Sequence, residues 1–336
     1  MKIKRVIYGS LVIILFLILI IFFISPLIRG IPFLVLTDIY KLKICTRNID
    51  IIPANVYLAI PNNGVTADME ILFNLTPFKN FPQQKILRGE LISPDQSALT
   101  VKVRSTGEQK GGCLAIRLPS RQITSEGGII NLTWDLPVGL YHFNDLKLYF
   151  SDGMQKKYPL GNLFIEVLPE TKVMIQQNNA FEENVFEINS IRQPCQNPCF
   201  LICYKNNTLK PVALTGIHLP PEFPYALDTS SLSVKRGADF EKEVAGFQNR
   251  IVLNQKVIKE KTYNFTKRLD VAPGEKIALS FSLAASSSNA YRSFVAVDPI
   301  ILETSEHLLI LPNTPPTRGG PWGYSIIDLK KMLCKW

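Results

Sequence analysis

Two patterns of apolar and polar residues divide the chain. From Val6 to Ile28 it reads VIYGSLVIILFLILIIFFISPLI, 23 residues without a charge. A bilayer core takes about 20 apolar residues as a helix, so this run predicts a transmembrane segment. It is longer than the apolar core of a cleaved signal peptide and ends in Ile24-Ser25-Pro26-Leu27, with no small-x-small site and no lipobox before Cys45. The expectation is an uncleaved signal anchor over 6–28 behind a short basic flank, 1–5. After it, Gly30-Ile31-Pro32 is expected to break the helix, and Phe33–Leu36 to begin extended structure or an interfacial segment.

The second pattern starts near Asn55, where short apolar or alternating runs are separated by turn-forming clusters. Strands are predicted at 56–60, 70–75, 85–92, 99–103, 114–118, 129–134, 146–150 and 163–168. The breaks include Pro61-Asn62-Asn63-Gly64, Ser93-Pro94-Asp95, Gly111-Gly112 and Ser151-Asp152-Gly153. Each has its own mechanism: fixed φ at Pro, accessible positive φ at Gly, side-chain bonds to the backbone at Asn and Asp. A polar shift at Gln176-Gln177-Asn178-Asn179-Ala180 marks a boundary, after which strands are predicted at 185–191, 200–205, 211–217, 251–258, 263–271, 276–283, 294–302 and 308–311.

Recurring strands without amphipathic helices between them indicate an all-β body. The expected architecture is two consecutive antiparallel β-sandwich domains, 51–175 and 181–312, behind the transmembrane helix and a juxtamembrane segment, 29–50. Asn206-Asn207-Thr208 after a strand and Ala272-Pro273-Gly274-Glu275-Lys276 before one resemble connections common in immunoglobulin-like sandwiches. That resemblance lies in the turns and implies only the sandwich architecture.

The tail, 313–336, opens as a Pro/Gly linker through Pro315-Pro316 and Gly319-Gly320-Pro321. Beyond it Ile326, Leu329, Leu333 and Trp336 fall on one helical stripe with Lys330 and Lys331 off it. This short amphipathic segment needs a surface to fold against, either the second domain, a partner protein or a membrane.

Charge refines the picture. The formal net charge is +9, but residues 1–50 hold seven basic and two acidic residues, and 313–336 four basic and one acidic. The span between is nearly neutral, with 26 basic and 25 acidic residues. A nucleic-acid face needs clustered positive charge on a folded domain, so nucleic acid is excluded as the expected partner. Basic ends suit anionic lipid. Lys2, Lys4 and Arg5 favour a cytoplasmic N-terminus, while Arg29, Lys41, Lys43 and Arg47 offset that bias. The short basic flank decides for a single-pass protein with the bulk of the chain extracytoplasmic, in a periplasm, on a cell surface or in a lumen.

Six cysteines invite a disulfide or metal reading. Cys195, Cys199 and Cys203 recur every fourth residue, but a zinc site needs a fourth ligand, and His142, His218 and His307 are scattered. The Gln196-Asn197-Pro198 turn makes Cys195 and Cys199 the candidate disulfide, while Cys45, Cys113 and Cys334 have no pairing the sequence assigns. No metal and no cofactor are expected.

Catalytic signatures are few. An anchor, a β body and His142, Cys203 and Arg236 resemble the sortase-like cysteine transpeptidases, with His142 placed 61 residues before Cys203. The family's Thr-Leu-x-Thr before the nucleophile is replaced here by Cys199-Phe200-Leu201-Ile202, and Arg236 lies 33 residues beyond. Paired carboxylates for glycoside hydrolysis would have to come from Asp135, Asp145, Asp152 and Glu166, in a body rich in acids. The sequons at Asn74, Asn131, Asn206 and Asn264 are close to chance frequency.

Aromatics within turn-rich segments mark the candidate contact surface: Tyr141 and Phe143 in one, Phe223 and Tyr225 in another. The expected function is therefore a membrane-tethered, non-enzymatic protein for protein or glycan binding or envelope assembly. A surface hydrolase or sortase-like transpeptidase, and a structural subunit of a membrane or secretion complex, are its rivals.

Overall fold

The computed structural model describes residues 33–62, 68–76, 84–105, 114–117, 122–125, 127–133, 136–175, 199–240, 242, 258–286, 294–310, 322–325 and 334. The apolar run 6–28 lies outside them, as do the predicted strand 185–191 and all but the last residue of the predicted strand 251–258. Among the described residues no helix is long and apolar enough to cross a membrane.

The first element among the described residues is a helix, α1 (Phe33–Cys45), where the sequence allowed extended structure or an interfacial segment from Phe33–Leu36. Proline disturbs a helix least at its start, so Pro32, next to Phe33 in sequence, does not oppose the helix. Lys43 in the last turn complements the helix dipole. Leu42 is fully buried, and the amide and hydroxyl of Thr46 both donate to the Leu42 carbonyl, at 3.0 and 2.7 Å.

The rest is mostly β. The strands of the first half are β1 (Ala54–Asn62), β2 (Asp68–Asn74), β3 (Ile86–Ile92), β4 (Ala98–Ser105), β5 (Leu114–Arg117), β6 (Gln122–Ser125), β7 (Gly127–Thr133), β8 (Gly139–Phe150), β9 (Gln155–Pro169) and β10 (Val173–Ile175). Those of the second half are β11 (Cys199–Lys205), β12 (Val212–His218), β13 (Tyr225–Arg236), β14 (Asn264–Val271), β15 (Lys276–Ala285), β16 (Phe294–Asp298), β17 (Ile301–Thr304), β18 (Leu308–Ile310) and β19 (Trp322–Ser325).

The largest sheet has the order β16-β1-β9-β8-β3-β4-β7-β2. It curls so that the edge strand β2 comes back to the start of β1: Ile51, just before β1, bridges Leu75, just after β2, and the Thr76 amide donates to the Asp50 carbonyl at 2.7 Å. One core fills the curl, with Leu58 from β1 and Phe73 from β2 packed in the same cluster as Leu91, Ile130, Leu146 and Ile165. Strands β1 and β9 approach closely at Gly161, whose φ of +97° and position against the Ala54 backbone leave no room for a side chain.

A five-stranded sheet, β10-β18-β17-β12-β14, and a three-stranded sheet, β11-β15-β13, share a second core. Ile202, Leu279 and Leu283 meet Leu214, Val271 and Leu302 there, and Tyr57, Phe164 and Val297 of the large sheet belong to the same cluster. Asp298 ends β16 in the large sheet and Ile301 begins β17 in the five-stranded one, so Pro299 and Ile300 carry the chain across. A small sheet of β19, β5 and β6 brings Trp322–Ser325 of the tail beside Leu114–Arg117.

The expectation of antiparallel sheets holds for most pairs and needs one correction. β1 runs parallel to both β9 and β16, β10 to β18, and β19 to β5. Each parallel partner lies far along the chain, so no hairpin turn in the sequence could announce it.

Candidate functional site

The most unusual chemistry in the described residues lies where the large sheet meets the five-stranded one. Four side chains converge: Tyr57 on β1, Glu166 on β9, His218 at the end of β12 and Glu303 on β17. Alternation puts Tyr57 and Glu166 on the face of the large sheet turned toward the second core, since Tyr57 pairs in register with Phe164 and Ala59 with Glu166. On the other side, Glu303 is in register with Gly216, two residues from His218 and on the same face. A side chain at Gly216 would run into the Tyr263 carbonyl, and the pairing register shifts there.

The Tyr57 hydroxyl donates to Glu166 Oε2 at 2.7 Å. His218 Nε2 meets the same oxygen at 3.0 Å, and its Nδ1 meets Glu303 Oε1 at 3.3 Å. All three ionisable side chains are largely covered, 20% exposed for His218, 19% for Glu166 and 29% for Glu303. Burial opposes the charge on His218, but hydrogen bonds to the two glutamates and their negative charge outweigh it and push its pKa up to about 9. Burial likewise raises the Glu166 carboxyl, and is outweighed by the bond to His218, its charge and the Tyr57 hydroxyl, so the group sits below its usual value. Tyr57 is held well above the usual phenol range by burial, then by the Glu166 charge and hydrogen bond.

At neutral pH His218 is thus an imidazolium that donates both N–H groups, one to each carboxylate. The network is closed on itself: the histidine has no ring nitrogen left to act as a base. Because its two nitrogens serve carboxylates on different strands, the three groups do not converge on one point, and among the described residues no set of three such side chains could hold a metal ion. What the arrangement does is join β1 and β9 to β12 and β17 with charge-assisted hydrogen bonds.

Aromatic packing surrounds it. Phe223 is fully buried, with ring centroids 6.1 Å from Tyr57, 5.9 Å from Phe164 and 6.0 Å from Tyr225. His142 stacks on Phe164 at 4.3 Å and shares a hydrogen bond with Asn162 Oδ1 at 3.2 Å, while Asn162 donates to Asn55 at 2.8 Å.

The residues singled out from sequence are placed as follows. Phe143, Phe223 and Tyr225 are buried, so their ring faces are spent on packing; Phe143 lies in the core of the curled sheet and the other two in the second core. Tyr141 is half-buried and donates to the Pro137 carbonyl at 2.9 Å. Cys195 lies outside the described residues, and Cys199 opens β11. The disulfide among the described residues joins Cys45, at the end of α1, to Cys334. Ile326, Leu329, Lys330, Lys331, Leu333 and Trp336 lie outside the described residues.

The transpeptidase set is committed to other work. His142 serves Asn162 and Phe164, Arg236 pairs with Glu275 at 2.5 Å, and Cys203 is a buried thiol in β11. Of the glycosidase carboxylates, Asp145 pairs with Lys157 at 2.8 Å, Asp152 accepts the Met154 amide in a turn, Asp135 lies outside the described residues, and Glu166 is in the network. The asparagine of the Asn206 sequon is fully buried: its amide nitrogen donates to Lys210 and Val271 carbonyls, and its oxygen accepts from Thr208, which leaves no room for a glycan.

Sequence reasoning named Glu166 and His218 for other roles and passed over Tyr57 and Glu303. The signal was faint. His218 ends a strand that is otherwise apolar or neutral, VALTGIH, and its partners are 52 and 85 residues away.

Compared with known proteins, the chain matches no family model and no curated relative.

Proposed function

We propose that the chain is a single-pass, membrane-tethered protein whose β body lies outside the cytoplasm and works by contact, with a protein or glycan or within an envelope assembly, rather than by catalysis. The observation that carries this reading is the Cys45–Cys334 disulfide. Structural disulfides persist in oxidising compartments and are rare in the cytosol, and this one follows closely on an apolar run long enough to span a bilayer. The closed His218 network supports the non-enzymatic side, since its histidine is fully engaged. The shared core between the five- and three-stranded sheets supports a sandwich for the second unit.

Thiol labelling in intact cells tests the reading. With a membrane-impermeant maleimide, Cys45 and Cys334 are expected to label only after a reductant is added outside. Labelling of both without reduction, and only after lysis, would place the body in the cytoplasm and overturn the proposal.

A further inference from the structure

The outer face of α1 differs from the rest of the body. With about 100° between successive helical residues, Tyr40 and Ile44 fall within about 40° of one another, and Leu42 lies on the far side. Leu42 is 0% exposed, whereas Tyr40 is 67% exposed and Ile44 56%. Lys43 and Lys41 fall about 60° to either side of this apolar pair, both exposed, and Arg47 is exposed just past the helix end. Asp38, the helix's one acid, is half-buried on the inner side with Leu42. The outward face is therefore an aromatic and an aliphatic side chain edged on both sides by positive charge.

We infer that α1 is an interfacial helix: Tyr40 and Ile44 enter the headgroup region of an anionic bilayer, and Lys41, Lys43 and Arg47 bind its phosphates. The inference rests on the reading of 6–28 as a membrane span, which leaves only four residues before Phe33 and so delivers α1 to the bilayer surface. Charge complementarity selects anionic lipid over a protein groove, because exposed lysines flanking one aromatic and one aliphatic residue is the pattern that seats a helix in a headgroup layer. The disulfide adds to it. Cys334 is bound to Cys45 at the helix end, and the sequence around Cys334 is basic, with Lys330, Lys331 and Lys335.

The test uses the full chain in vesicles of phosphatidylcholine alone or of an equal mixture with phosphatidylglycerol. Deuterium uptake at residues 37–47 is expected to be about fivefold slower or more in the mixed vesicles, the effect of one or more bases at an anionic surface. The difference should vanish at high salt and in the variant carrying Lys41→Gln, Lys43→Gln and Arg47→Gln. Equal uptake in the two lipids, with the chain resisting extraction by alkaline carbonate, overturns the inference and leaves the anchor standing. Extraction by carbonate overturns the anchor instead, and the α1 inference then stands or falls on the same exchange difference.

Discussion

Replacing Phe223 with alanine is expected to lower the unfolding free energy by about 3–5 kcal/mol, the usual cost of emptying a buried aromatic site. The ring is fully buried and touches aromatics from both halves of the chain: Tyr57 and Phe164 from the large sheet, Tyr225 from β13. Its surroundings have little freedom to collapse into the space. The turn that holds it is fixed by the Phe223 amide on the Pro220 carbonyl at 2.9 Å, and by the Lys261 ammonium, which donates to the Pro221 and Phe223 carbonyls at 2.7 and 2.8 Å. Phe223→Leu keeps most of the volume and should cost less than about 1.5 kcal/mol. Urea titration of the full chain in detergent distinguishes these values. A change within about 0.5 kcal/mol for the alanine variant is the signature of an exposed contact residue, and would contradict the packing role.

The same residue shows how far local pattern can be read. Phe223 and Tyr225 stand out in sequence as aromatics among prolines, but whether a ring in a turn faces water or a core depends on what the other sheet brings. That other sheet is contributed by residues more than fifty positions away. Strand positions were far more legible. The turn clusters at Ser93-Pro94-Asp95 and Ser151-Asp152-Gly153 do separate β3 from β4 and β8 from β9, because Pro, Asp and Gly act within a few residues.

Where the local rule failed, a longer-range cause is visible. β13, Tyr225–Arg236, carries an Asp-Thr-Ser-Ser run and lies where no strand is predicted. Inside the fold Asp228 accepts the Ser230 amide and hydroxyl, at 3.1 and 2.7 Å, and Ser231 accepts the Ser282 amide at 2.8 Å. These bonds satisfy the polar run within an irregular stretch of strand, and pairing with β15 resumes at Ser233. The Cys45–Cys334 pairing spans 289 residues, and the parallel β1–β16 pair likewise depends on chain topology that no window of sequence contains. The His218 network has the same origin, because its members sit on four strands of two sheets.

That network makes stability depend on pH in a defined direction. The folded-state pKa of His218 is raised from 6.5 to about 9, so its contribution is complete below about 6.5 and is lost as pH rises through 9. Glu166 is shifted the other way, below 4.5; its contribution is complete above that value and is lost as pH falls through the folded-state pKa. Between about 4.5 and 6.5 both are present, and the clamp between the sheets is strongest. At 1.36 kcal/mol per unit the histidine shift corresponds to about 3 kcal/mol, an upper figure because its side chain keeps 20% of its exposure. Comparing unfolding free energies of the native chain and His218→Gln from pH 5 to pH 10 isolates this contribution from the other titrating groups. The difference is expected to shrink by about 2–3 kcal/mol across the alkaline limb, with the steepest change between 6.5 and 9. Glu166→Gln removes the negative charge that Tyr57 and His218 share, so the histidine should lose its proton at lower pH and the alkaline limb should move down with it. A difference that stays constant with pH would mean that His218 contributes packing alone, and that the two sheets are held together by the apolar core around Tyr57, Phe164 and Phe223 without help from charge.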